Sequence, residues 1–279
     1  MSTQQENEPQ VIFITGASGG FGKAFVRSLV RAGYRVFGTS RYPEKVQIDD
    51  LEGYAANFNL LEMDVNSSLS VKKAIHQVLE MTDRLDVVVN SAGYALAGSI
   101  EDTTIEEVQE IFNTNFFGVH RVCREVIPIM RKKGGGRIIN IGSLIGLVGI
   151  PFQAFYTATK YALEGYTEAL RLELEPFHIR VSLVEPGDFH TTLTEHRKIA
   201  RQCNSDSAYW SRFSKVIKEV EKAERNGESP EKLAALIEKI ISSPSPRLRY
   251  RIGPSSSIIG LKPLLPESLA LKIINKYYG

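Results

Sequence analysis

Cysteine is scarce in this 279-residue sequence: Cys123 and Cys203 are too few for a disulfide framework and do not form a zinc-ligand pattern. A reducing, cytoplasmic environment is the expectation. An excess of either charge is also missing. Lys and Arg number 34 against 32 Asp and Glu, and the net +2 is too small to argue for nucleic acid. The densest basic stretch, RKKGGGR from Arg131 to Arg137, reads as a solvated helix end and turn. The opening MSTQQENEPQ has neither the apolar run of a signal peptide nor the basic character of a transit peptide. Residues 1–9 are therefore expected to be a disordered lead-in. No repeat and no low-complexity linker divides the rest, so one domain is expected over residues 10–255, with an extension over 256–279. No His/Cys/Asp cluster suggests a metal.

A long run without charge does exist. Ile138 to Thr159 reads IINIGSLIGLVGIPFQAFYTAT, long enough to raise a transmembrane helix. Its glycines, Pro151, Asn140, Ser143 and Gln153 suit a strand and loop better. No membrane span is expected.

Short branched runs that end in glycine or polar residues recur along the chain, as buried strands should. They are VIFIT (Val11 to Thr15), RVFGTS, NLLEMD (Asn59 to Asp64), LDVVVN (Leu85 to Asn90), RIINIGS (Arg137 to Ser143), IRVSLVEP (Ile179 to Pro186) and LRYRIG (Leu248 to Gly253). Helical spacing lies between them: Phe21, Phe25, Leu29 and Val30 up to Gly33, then Ser67–Met81, Thr104–Met130 and Gln153–Glu175. Alternating strands and helices imply right-handed crossovers and a doubly wound parallel sheet of about seven strands, an α/β fold with helices on both faces. Phe189 to Ser229 reads as an insertion without a strand, helical in places, with aromatics at Tyr209, Trp210 and Phe213.

TGASGGFG, Thr15 to Gly22, joins the first strand to the first helix, where free amides and the positive dipole end attract a pyrophosphate. The spacing is G-x-x-x-G-x-G. An acid at the end of the second strand would bind a ribose 2′-hydroxyl. Here Thr39, Ser40 and Arg41 stand there instead. A guanidinium and hydroxyls accept a 2′-phosphate, so NADP(H) is favoured over NAD(H).

TGASGGFG, NSAG (Asn90 to Gly93), NTNFFG (Asn113 to Gly118), Ser143, YTATK (Tyr156 to Lys160) and PGDFHT (Pro186 to Thr191) occur in that order. Together they resemble the short-chain dehydrogenase/reductase superfamily, whose fold is a single Rossmann-like domain. The resemblance spans about residues 10–255. It implies that Gly16, Ser18, Gly20, Phe21 and Gly22 form the phosphate loop and that Asp64 and Val65 meet adenine. It further implies that Asn90, Ala92 and Gly93 line the cofactor, and that Pro186, Gly187, Phe189 and Thr191 hold the nicotinamide. Ser91 departs from the family's second Asn. Asn115, Ser143, Tyr156 and Lys160 fall on the catalytic four. Tyr156 and Lys160 would also touch the cofactor. The resemblance further implies a homodimer or homotetramer built on the two long helices.

Duller roles compete for three of these residues. Asp64 could cap the helix near Ser67, Asn115 could satisfy backbone groups, and Thr191 could act as a cap.

A free phenol titrates near pH 10 and is nearly inert at neutrality. Lys160 lies one helical turn beyond Tyr156, so both share a face. The expectation is that this ammonium lowers the tyrosine pKa and fits it for proton exchange with a carbonyl or alcohol. Ser143 would bind the same oxygen, and Asn115 would anchor a water linking Lys160 to solvent.

The substrate is expected to be a hydrophobic ketone, aldehyde or secondary alcohol. Leu144, Leu147, Val148, Ile150, Phe152 and Phe155 offer an apolar lining and residues 188–229 a lid, while the apolar C-terminal extension could shield a subunit interface or rest on a membrane surface. The alternatives are an NAD-dependent alcohol dehydrogenase or a cofactor-sensing protein without chemistry.

Overall fold

Every residue of β1 (Val11–Thr15) is buried, as a continuous branched run requires. In the computed structural model, which describes residues 9–260 and 265–278, this strand is the third of a seven-stranded sheet, beside the central one. The order is β3-β2-β1-β4-β6-β7-β9 and every pairing is parallel. The partners are β2 (Arg35–Ser40), β3 (Phe58–Glu62), β4 (Val87–Asn90), β6 (Gly136–Ile141), β7 (Ile179–Pro186) and β9 (Arg249–Ile252). The order reverses beside β1, which opens a crevice at the strands' carboxyl ends where such folds bind ligands.

Alternation along the strands builds two cores. Val11 and Phe13 face α2 (Ser68–Thr82), α4 (Gly118–Lys133) and α5 (Ala154–Leu174). Ile12 and Ile14 face α1 (Gly20–Arg31) and α7 (Pro230–Ser242), where Phe25, Leu29, Leu233 and Ile237 are fully buried. The fold expected from sequence is the fold observed. The lead-in expected over residues 1–9 lies, apart from Pro9, outside the described residues.

Three differences bear on the site. The helix expected over Thr104–Met130 is α3 (Ile105–Phe112), a wider π-helical turn at Asn113–Phe117, and α4. Such a turn shifts side chains around the axis and is common at functional sites. The 189–229 segment does contain a strand: β8 (Lys198–Ile199) pairs in parallel with β5 (Leu96–Ala97). Two-residue strands carry no periodicity, so neither is visible in sequence. Helix α7 was also not among the expected elements, although its Pro at the first turn after a capping Ser229 is an ordinary start.

The segment is bound to the sheet from both ends. Glu107, which closes a capping box with Thr104, accepts the Arg201 amide at 2.9 Å. Past α6 (Trp210–Arg225), the Glu228 amide bonds the Asp188 carbonyl at 3.0 Å. The chain closes with α8 (Ser256–Gly260) and α9 (Glu267–Tyr278), the last being the helix expected in the extension. Among the described residues no helix is long and apolar enough to cross a membrane.

Candidate active site

The phosphate loop turns sharply out of β1. Gly16 holds φ +71, a left-handed value costly for any residue with a Cβ. Gly22 is constrained by space: a Cβ there would lie 2.7 Å from Ala17 Cα and closer still to the Gly16 carbonyl, all of it backbone. This packing brings the first turn of α1 against the strand end. No side chain caps α1, and no acidic residue stands in its first turn. Its amides and dipole are therefore left for an external anion, which fits a dinucleotide phosphate. Thr191 lies against this loop, its Cβ 2.8 Å from where a Cβ on Gly20 would be. The Thr191 hydroxyl also accepts the Leu193 amide at 3.2 Å within a turn; no helix begins there, so it caps none.

Across the crevice, Thr15 holds the NSAG segment. Its hydroxyl accepts the Ser91 and Ala92 amides, each at 3.0 Å. Sequence reasoning missed this threonine, whose only signal is its place as the last residue of a buried strand. Asn90 turns inward. Its amide donates to Asn140 Oδ1 at 2.8 Å, and Asn140 donates to Thr167 at 2.9 Å, a buried polar chain tying β4 through β6 to α5. The Asn90 side-chain oxygen is buried without a partner among the described residues. Phe21 and Phe189 likewise stack edge to face at 5.4 Å within the apolar layer.

At the far end of the crevice Ser40 is buried and its hydroxyl accepts the Tyr42 amide at 3.2 Å. Arg41 is exposed, with its guanidinium 5.9 Å from the Tyr42 ring centre. Asp64 does not cap α2. That role belongs to Ser67, while Asp64 accepts the Asn66 amide at 2.9 Å in the turn beside Val65.

The catalytic candidates converge at the carboxyl ends of β6 and β7. Ser143 follows β6, accepts the Ile145 amide at 3.3 Å and donates to the Pro186 carbonyl at 3.4 Å. Tyr156 and Lys160 occupy one face of α5, with the ammonium 5.7 Å from the phenol ring centre. Lys160 donates to the Ile141 carbonyl at 2.9 Å. Asn115, in the π turn, grips both backbone groups of Tyr94 at 2.9 and 3.1 Å and reaches Thr159 at 3.3 Å. Its amide donors are thus committed, and a water expected here would have to be held by the amide oxygen or the main chain.

The electrostatics correct one expectation. The Tyr156 phenol sits above its ordinary value, not below it, because burial penalises the phenolate. Glu224 pushes it further up and Arg197 opposes. Burial also brings Lys160 down to about 8. The Lys160 ammonium is engaged by the Ile141 carbonyl, and burial governs the phenol. Tyr156 is therefore protonated at neutral pH, the state needed by a proton donor. Arg197, Glu224 and Asp188 are the residues that sequence reasoning did not single out. They come from three separate places, the end of β7, the residue before β8 and the last turn of α6, and no spacing announces them.

Among known proteins, a family model described as short chain dehydrogenase matches residues 10–202. A 3-ketodihydrosphingosine reductase of Bacteroides thetaiotaomicron is 42% identical over 98% of this chain and 99% of its own. Retinol dehydrogenase 8 of Bos taurus is 32% identical over 93% of this chain and 86% of its own. A short-chain dehydrogenase from Streptomyces avermitilis superposes with a TM-score of 0.82 at 31% identity, covering 96% of each chain. The chain belongs to the short-chain dehydrogenase family of oxidoreductases.

Proposed function

We propose that this protein is an NADP(H)-dependent reductase that interconverts a long-chain hydrophobic ketone and its alcohol. The observation that carries this is the meeting of Ser143, Tyr156, Lys160 and Asn115 at one sheet edge beside an uncapped glycine-loop helix. The relative named as a 3-ketodihydrosphingosine reductase supports a long-chain keto base as the substrate, and the retinol dehydrogenase supports an apolar one. The apolar side of the cleft agrees with both. Phe152 packs edge-on against Phe213 at 5.6 Å and lies 6.5 Å from Tyr209, joining the loop after Ser143 to the expected lid. Leu147, Ile150 and Phe155 are partly exposed, whereas Leu144 and Val148 are buried.

In this reading the amides at Gly16, Ser18, Gly20, Phe21 and Gly22 hold the pyrophosphate, and Ser40 and Arg41 hold the 2′-phosphate. Asp64 and Val65 border adenine; Ala92, Gly93, Pro186, Gly187, Phe189 and Thr191 border the nicotinamide. NADPH, when bound, supplies the hydride. Tyr156 gives its proton to the carbonyl oxygen, and the Ser143 hydroxyl turns its proton from the Pro186 carbonyl to that oxygen and fixes its position. Lys160 holds the ribose hydroxyls and returns a proton to the phenolate. An oligomer through α4 and α5 is supported by the exposure of Phe117 (48%) and Leu172 (67%).

Cofactor choice tests the Arg41 assignment. Wild type is expected to show a lower KM for NADPH than for NADH. Arg41→Ala should raise the NADPH KM by about tenfold, the worth of one charge-assisted bond at an exposed site, and leave the NADH KM little changed. A wild type that prefers NADH would overturn it.

A further inference from the structure

The lid contributes a buried cation that is only partly satisfied. The Arg197 side chain is 2% exposed and that of Glu224 13% exposed. One nitrogen, Nη2, donates to both Glu224 oxygens at 2.5 and 2.6 Å. Thr194 donates to the same carboxylate at 2.7 Å. The other two guanidinium nitrogens, Nε and Nη1, are buried without a partner among the described residues. Buried donors of this kind are rare, since each costs the desolvation it does not recover. A group from outside the chain would repay that cost.

The lid segment leaves the sheet at the chemistry. Pro186, whose carbonyl accepts the Ser143 hydroxyl at 3.4 Å, stands two residues before Asp188, and the charges of Glu224 and Arg197 act on the Tyr156 phenol. Beside them is Asp188, directly after Gly187 at the end of β7. It is half-buried and makes no side-chain hydrogen bond or ion pair among the described residues. Its backbone is strapped to the turn after α6, where a Cβ on Gly227 would lie 2.6 Å from the Asp188 carbonyl. Burial and Glu224 together raise its carboxyl, which places Asp188 in the same electrostatic neighbourhood.

Charge decides the ligand class. Arg197 and Glu224 cancel, and Asp188 leaves the group with an unbalanced negative charge. A substrate anion would meet two carboxylates. A substrate cation balances Asp188, and a neighbouring hydroxyl oxygen can accept from Nε or Nη1.

We propose that Asp188, Arg197 and Glu224 form a polar subsite beside Tyr156 for the head of a 2-amino-1-hydroxy-3-ketone, with the ammonium on Asp188 and the hydroxyl on Arg197. This rests on the reading of the site as a long-chain ketone reductase and adds which end of the ketone the lid recognises. The subsite positions the carbonyl under Tyr156; it takes no part in bond making.

The test compares three ketones of equal chain length with NADPH: the 2-amino-1-hydroxy-3-ketone, its N-acetyl derivative and the plain 3-ketone. Wild type should favour the free amine over both others by about tenfold or more in kcat/KM, the effect of one hydrogen-bonded charge pair. In Asp188→Asn that preference should collapse toward unity, mostly through KM, with NADPH binding followed by fluorescence as the check on folding. Equal rates for the free and N-acetyl amines in wild type would overturn the subsite while leaving the reductase reading standing, and that comparison needs no variant. Turnover of none of the three would overturn the reductase reading and the subsite with it.

Discussion

Tyr156→Phe is expected to lower kcat for ketone reduction by about 10²- to 10⁴-fold, the usual contribution of a positioned general acid, while NADPH binding persists. The change removes one oxygen and leaves the ring. Lys160 keeps its bond to the Ile141 carbonyl at 2.9 Å, and Asn115 keeps Tyr94 and Thr159. No hydrogen bond of the phenol oxygen holds the fold among the described residues, so stability should change little. Steady-state turnover beside a fluorescence titration with NADPH separates the two effects. Near-normal turnover would remove Tyr156 from the chemistry, and lost NADPH binding would make its role structural.

A second large effect concerns stability and pH. Glu164, one turn beyond Lys160 on α5, faces the fully buried Glu185 of β7. Each has one carboxylate oxygen without a donor, Glu164 Oε1 and Glu185 Oε1. A proton on Glu164, donated to Glu185, satisfies both. Burial, this hydrogen bond and the neighbouring charge raise the Glu164 carboxyl to about 8, against Arg249, whose Nε sits 3.0 Å away. Arg251 pairs with Glu185 at 3.0 Å, so the cluster clasps β9 onto β7 and α5.

Linkage sets the sign of the effect. The folded value lies above the ordinary 4.5, so folding takes up a proton between the two values. The stabilisation is complete below about 4.5 and is lost as pH rises through about 8. A carboxyl displaced by one pH unit corresponds to roughly 1.4 kcal/mol, which makes the total a few kcal/mol. Glu164→Gln keeps a donor for Glu185 and cannot ionise. Denaturant unfolding at pH 6 and pH 9 should show wild type losing stability across that interval and the variant losing much less. Parallel losses would show that the carboxyl pair does not share a proton.

Much of this was legible in the sequence. The buried strands were visible because each is a short branched run ending at a glycine or polar turn, and VIFIT, RVFGTS and IRVSLVEP coincide with β1, β2 and β7 residue for residue. The four residues proposed for catalysis were visible through motif order. Their energetics were not. Spacing puts an ammonium beside the phenol, but it does not report that Ile141 engages it or that burial governs the phenol. The π turn was hidden because NTNFF contains neither glycine nor proline to mark a break. The Arg197–Glu224 pair with Asp188 was hidden for a different reason. It is assembled by the fold of a segment whose strand is two residues long.

The central claim is that Tyr156 protonates a carbonyl oxygen while hydride reaches the adjoining carbon. The direct test incubates the protein with NADPH carrying deuterium at the transferred position and a long-chain 2-amino-1-hydroxy-3-ketone, then examines the product by mass spectrometry. A single deuterium on the new carbinol carbon, present with wild type and absent with Tyr156→Phe over the same time, is the predicted result. Label that fails to reach that carbon in wild type, or that arrives equally fast without the Tyr156 hydroxyl, would contradict the account.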